Sequence, residues 1–79
     1  MRKWLIELRA KRGITQNAMS KLLKISQSYY AQIETGDRQI DLNLSTASKL
    51  SDIFNIPLST IRNYEEELRR TEHERIKDF

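Results

Sequence analysis

Residues 15–36 read TQNAMSKLLKISQSYYAQIETG, and the fold turns on this stretch. Thr15 offers an N-cap oxygen, and Ala18, Met19, Leu22 and Leu23 recur at the spacing of one helical face, which predicts a helix over about 15–23. Lys24-Ile25-Ser26 leaves room only for a tight connection. Ser26 then caps a second helix, whose inward residues are Tyr30 and Ile33 and which Gly36 stops. That second helix is unusual on its outer side. Amide, hydroxyl and phenol groups dominate it, and it carries almost no charge.

The flanking sequence repeats the same punctuation. Trp4, Leu5 and Leu8 lie at helical spacing ahead of Gly13, so residues 2–12 read as a first helix closed by glycine. Residues 37–43 read as a polar loop. Asn43 caps a fourth helix with Ala47, Leu50, Ile53 and Phe54 on one side, and Asn55 is suited to the left-handed turn that ends it. Pro57 opens a fifth helix through Leu58, Ile61 and Leu68. Beyond it charges dominate, with Ile76 and Phe79 among them, and this tail reads either as an extended helix or as frayed chain. No strand-like alternation persists. The expectation is an all-α, five-helix domain over residues 1–64 followed by a charged segment over 65–79.

Composition narrows the function. Seventy-nine residues allow one small core. There is no cysteine, no apolar run long enough to span a membrane and no signal-peptide pattern, so a cytoplasmic protein is expected. Net charge is only +3, but it is unevenly spread. Between Met1 and Lys24 stand Arg2, Lys3, Arg9, Lys11, Arg12, Lys21 and Lys24 against Glu7 alone, a local +6 that suits a polyanion partner. No Gly-rich phosphate loop or nucleophile–base arrangement is present. His73, the one histidine, has no neighbouring ligands, and neither a metal, a cofactor nor an enzymatic role is expected. Glu65-Glu66-Glu67 reads as a surface run pairing with Arg69 and Arg70.

Two helices joined by three residues, the second capped by Ser and followed by Gly, suggest a helix-turn-helix. Met19, Leu23, Ile25, Tyr30 and Ile33 can close the angle between them, and the small Ser20 suits their crossing. In its segments LIELRAKRGITQNAMSKL (5–22), KISQSYYAQIETG (24–36) and SKLSDIFNIPLSTI (48–61), the chain resembles the phage-repressor/Cro-like helix-turn-helix family, the xenobiotic-response-element type. The resemblance covers roughly residues 4–64 and implies a lambda-repressor-like DNA-binding domain. It makes Gln27–Thr35 the recognition helix in the DNA major groove, with Gln27, Ser28, Tyr29 and Gln32 toward the base edges. Thr15, Gln16, Lys24 and Arg38 are expected at phosphates, Gln16 by the family's pattern at a helix N-terminus that favours anions. The family also implies a structural ion pair between Arg9 and Glu34.

Three positions depart from that pattern. Lys24 stands where the turn usually has Gly, Tyr30 replaces a small branched core residue, and Ile40 stands near a common Pro in a slightly longer 37–42 loop. The resulting expectation is a transcriptional regulator, a repressor binding a near-palindromic operator in double-stranded DNA as a homodimer. Its dimer surface is placed on Ile56, Leu58, Ile61 and Leu68, where little core remains to be filled. Two alternatives keep the fold: an antitoxin-like module whose helix-five side covers a protein partner, and an accessory DNA binder of a mobile element. The second would favour Lys and Arg on the recognition helix, where this chain has Gln and Ser.

Overall fold

Three of the helices start on the residues that the sequence marks as caps. Thr15 Oγ1 accepts from the Ala18 amide at 3.1 Å, Ser26 Oγ from Tyr29 at 3.1 Å and Asn43 Oδ1 from Thr46 at 2.8 Å. Each such cap contributes roughly 1 kcal/mol by satisfying an amide that the helix itself leaves unpaired. The computed structural model describes residues 1–36 and 41–77, with the backbone alone for residues 69 and 71–77. The helices are α1 (Lys3–Lys11), α2 (Gln16–Leu23), α3 (Gln27–Thr35), α4 (Leu44–Phe54) and α5 (Leu58–Lys77). No strand occurs among the described residues, and the all-α class follows.

Helices α1 and α2 end in the same hydrogen-bonded closure. After α1, Ile14 N–H donates to Arg9 O at 3.1 Å and Gly13 N–H to Ala10 O at 3.0 Å, with Gly13 at φ 65°. After α2, Ile25 donates to Ser20 O at 3.0 Å and Lys24 to Lys21 O at 3.2 Å, with Lys24 at φ 58° and ψ 43°. A lysine therefore adopts the left-handed conformation that glycine usually supplies, at a cost of about 1 kcal/mol. Asn55 does the same after α4 at φ 53°, where its short polar side chain makes the conformation easier.

The core gathers Leu5 from α1, Met19 and Leu23 from α2, Tyr30 and Ile33 from α3, Ala47, Leu50 and Phe54 from α4, and Ile61 from α5. Trp4, Leu8, Ile14, Ile25, Leu42, Ile53 and Ile56 pack around it. Ser20 is buried, and its hydroxyl donates to Asn17 O at 2.7 Å. That bond within its own helix leaves the small buried side chain no unmet polarity.

Two expectations are corrected by this packing. Ile61 is 1 % exposed, because the first turn of α5 lies directly on α4, so it fills the core and leaves no surface to pair. Glu65 is not part of a surface charge run. It turns inward, accepting from Arg2 and from the Trp4 indole, while Glu66 pairs with Arg62 at 3.2 Å and Glu67 with Arg70 at 3.4 Å. The helix α5 continues without a break through the expected boundary at 64/65, and the folded body reaches at least to Glu65.

Candidate nucleic-acid interface

Helix α3 presents two contrasting sides. Tyr30, Ile33 and Glu34 are buried, whereas Gln27, Ser28 and Tyr29 are exposed and Gln32 is half-buried. The single charged residue of α3 is Glu34, and it is 2 % exposed. The helix is therefore polar but uncharged toward solvent, which explains the scarcity of charge visible in its sequence.

Four donors converge on Glu34. Arg9 Nε donates to Oε2 at 2.6 Å and Arg9 Nη2 to Oε1 at 3.3 Å. Gln16 Nε2 donates to Oε1 at 2.8 Å, and the Tyr30 hydroxyl donates to Oε2 at 2.6 Å. Arg9 Nη1 also donates to Ile14 O at 2.9 Å, so one guanidinium joins α1, the α1–α2 link and α3. Burial alone would raise the Glu34 pKa, but the hydrogen bonds from Arg9, Tyr30 and Gln16 outweigh it and hold the carboxyl below its usual range. The Arg9 guanidinium is pushed up, chiefly by its hydrogen bond to Glu34. Burial, and then the bond to Glu34, raises the Tyr30 phenol well above the ordinary tyrosine value.

This carboxylate also fixes the direction of the Gln16 amide. An ionised carboxylate only accepts hydrogen bonds, so the amide nitrogen must face it. One N–H of that nitrogen is used on Glu34, and the other is available at the N-terminus of α2. Thr15, immediately before it, is exposed, and Lys21 and Lys24 are exposed nearby on α2 and its turn. The structure thus places Thr15 and Gln16 at the start of α2 and Lys24 at its end. Arg38 and Ile40 lie outside the described residues.

Two other arginines of the N-terminal third bond to the fold itself, whereas Lys3 and Lys11 are exposed. Arg2 is 4 % exposed and bound to Glu65, and Arg12 Nη2 donates to Phe54 O at 3.0 Å, where a cation complements the carboxyl end of α4. Among the residues expected on a dimer surface, Ile56 packs against the core, Leu58 is 39 % exposed and Leu68 is half-buried. Leu44, which sequence reasoning did not single out, is 72 % exposed. Together with Leu42, Ala47 and Leu58 it lines a groove of about 400 Å³ between α4 and α5. The Tyr30 hydroxyl and the inward Glu65 were also missed. The first had a signal, since Tyr30 and Glu34 are four apart and so share one helical face.

Two short helices joined by a tight turn, with uncharged polar groups on the outer side of α3 and a buried carboxylate that ties α3 to α2 through Gln16 and to α1 through Arg9, form a helix-turn-helix. Residues 5–61 match the helix-turn-helix family, and the chain belongs to it. Among curated proteins it is similar to the uncharacterized HTH-type transcriptional regulator YqaF of Bacillus subtilis (strain 168), with 44 % identity over 39 residues. That match covers 49 % of this chain and 51 % of the relative, so the chain spans about half the length of the curated relative it matches. No solved structure matches. No helix among the described residues is long and apolar enough to cross a membrane, and no group of residues there is arranged to hold a metal ion.

Proposed function

We propose that this chain is a sequence-specific transcriptional regulator of double-stranded DNA, a repressor that binds a near-palindromic operator as a homodimer. The observation that carries the reading is the outer face of α3, where Gln27, Ser28, Tyr29 and Gln32 stand clear of charge. Glutamine amides match the N6 and N7 edge of adenine, serine serves several bases, and the Tyr29 ring suits a thymine methyl. Phosphate contacts come from the flanks: the α2 N-terminus with Thr15 and Gln16, the turn at Lys24, and Arg38. A basic recognition helix would instead have suggested binding by charge alone, with shallow sequence preference.

One short recognition helix reads few base pairs, so two copies on a two-fold site gain the specificity that one lacks. Half-sites then lie about one helical turn, roughly 34 Å, apart. The pairing surface in this reading is centred on Leu58 and Leu68 with Leu44 added, since Ile61 is buried and Ile56 packs inward. Selection of bound sequences from random duplexes tests the whole. A two-fold symmetric motif, with affinity falling as salt rises, is the expected result. Failure to enrich any motif sinks sequence-specific binding, and an enriched motif lacking symmetry sinks the dimer.

A further inference from the structure

Helix α5 is fastened to the recognition helix through a residue belonging to neither. Arg2 Nε donates to both Glu65 oxygens at 3.1 Å, and Nη2 donates to Oε1 at 3.0 Å. The same guanidinium donates through Nη1 to Ile33 O at 2.7 Å, and the Arg2 amide donates to Glu34 O, also at 2.7 Å. Arg2 thus grips the carboxyl end of α3 with one set of donors and the second turn of α5 with another. Trp4 braces the grip: its indole N–H donates to Glu65 Oε2 at 3.0 Å, and its ring stacks on Tyr64 with centroids 5.2 Å apart.

We infer that the Arg2–Glu65 clamp fixes the direction of α5 relative to α3, and thereby the separation of operator half-sites that the protein accepts. The inference rests on the dimeric reading above. Ile61 is the side chain of α5 that enters the core, and a helix held there alone could pivot. Glu65 supplies a second hold one turn further on, on the same face. A buried guanidinium that loses its carboxylate is strongly disfavoured, so the hold is stiff. If α5 carries the pairing surface, its angle is multiplied across the dimer. A tilt of about 10° displaces a point 30 Å away by roughly 5 Å, more than the ~3.4 Å rise of one base pair.

The test uses the full chain and duplexes carrying two copies of the selected half-site at centre separations of roughly 8 to 13 base pairs. Wild type, Arg2→Met, Glu65→Gln, the double variant and Asn43→Ala are compared well below their unfolding temperatures. Glu65→Gln keeps the side-chain shape but sets an amide donor against donors, and it carries the test if Arg2→Met does not fold. Asn43→Ala removes a helix cap and weakens the fold while leaving the clamp intact. Wild type and Asn43→Ala are expected to favour one separation by roughly tenfold, whereas each clamp variant spreads its affinity over several, the double variant no further than either single one. Emission from Trp4, the only tryptophan, should shift in the clamp variants alone. Retention of the sharp preference by the clamp variants overturns the inference, as does its loss in Asn43→Ala. Sedimentation of the wild type as a monomer on DNA overturns instead the dimeric reading beneath it.

Discussion

The Tyr30 hydroxyl donates to Glu34 Oε2 at 2.6 Å from one turn earlier on the same helix. Both side chains lie on the buried side of α3, at 0 % and 2 % exposure. At a position where the family pattern has a small branched residue, a large ring thus enters the core together with a polar atom. The carboxylate that already binds Arg9 and Gln16 accepts that atom, so the phenol is buried without an unmet donor. Among the described residues, no buried side-chain nitrogen or oxygen lacks a partner. The departure at Tyr30 therefore extends the Arg9–Glu34 pair into a four-residue network.

Tyr30→Phe should accordingly destabilise the domain by about 2 kcal/mol, the range for a hydrogen bond to a buried charged group. The ring volume is kept, so the loss reports the hydroxyl and not a cavity. Urea denaturation at neutral pH measures it. A loss below about 0.5 kcal/mol would mean that water or a neighbour replaces the phenol.

Acid should weaken the same network. The Glu34 pKa is held below its usual value near 4.5, so the folded state binds that proton less tightly than the unfolded chain does. Its contribution is fully present above the unfolded value and is lost as pH falls from there through the folded value. Stability should be level with respect to this group at neutral pH and fall below about pH 4.5. Glu34→Gln should cost about 3 kcal/mol at pH 7, since it leaves Arg9 beside an uncharged partner. The difference between variant and wild type should then shrink as pH drops. A difference that stayed constant from pH 7 to pH 3 would place the carboxylate outside the ion pair in solution.

Most of the backbone plan was legible in the sequence because it rests on local chemistry. Thr15, Ser26 and Asn43 announce helix starts, and Gly13, Gly36 and Asn55 announce left-handed ends, each through its own side chain or the lack of one. Long-range polar contacts were less legible. Glu65 stands in a run of three identical residues, and only the third dimension tells that its neighbours face solvent while it meets Arg2, 63 positions away. Ile61 was misplaced for a related reason. Periodicity marks an apolar face without saying whether the same chain or a second copy covers it. The outward residues of α3 are placed by elimination, once Tyr30, Ile33 and Glu34 are known to point inward.

Gln32→Ala tests that register. If α3 lies in the major groove as proposed, loss of this amide should relax preference at one base pair and cost about 1–3 kcal/mol against the best site. Binding to unrelated duplexes should be nearly unchanged, because no cation is removed. Sequence selection with the variant, compared position by position with the wild type, measures both effects. An unaltered motif would show that Gln32 does not read a base and that the helix is rotated from the proposed orientation.

Lys24 combines a conformational cost with an exposed charge, and substitutions can separate the two. Relief of the left-handed strain by Lys24→Gly gains about 1 kcal/mol in the folded state, while the freer unfolded chain offsets about 0.4–1 kcal/mol of it. Stability should therefore rise slightly or stay level. Lys24→Asn should behave similarly, since asparagine tolerates this conformation. If the Lys24 ammonium meets a phosphate, both variants should weaken binding to specific and non-specific DNA alike. Each should also reduce the slope of log affinity against log salt by about 0.9 for every phosphate on the duplex that is no longer neutralised. Lys24→Arg keeps the charge and should retain the slope. Unchanged slopes in the Gly and Asn variants would leave Lys24 as a strained turn residue with no part in binding DNA.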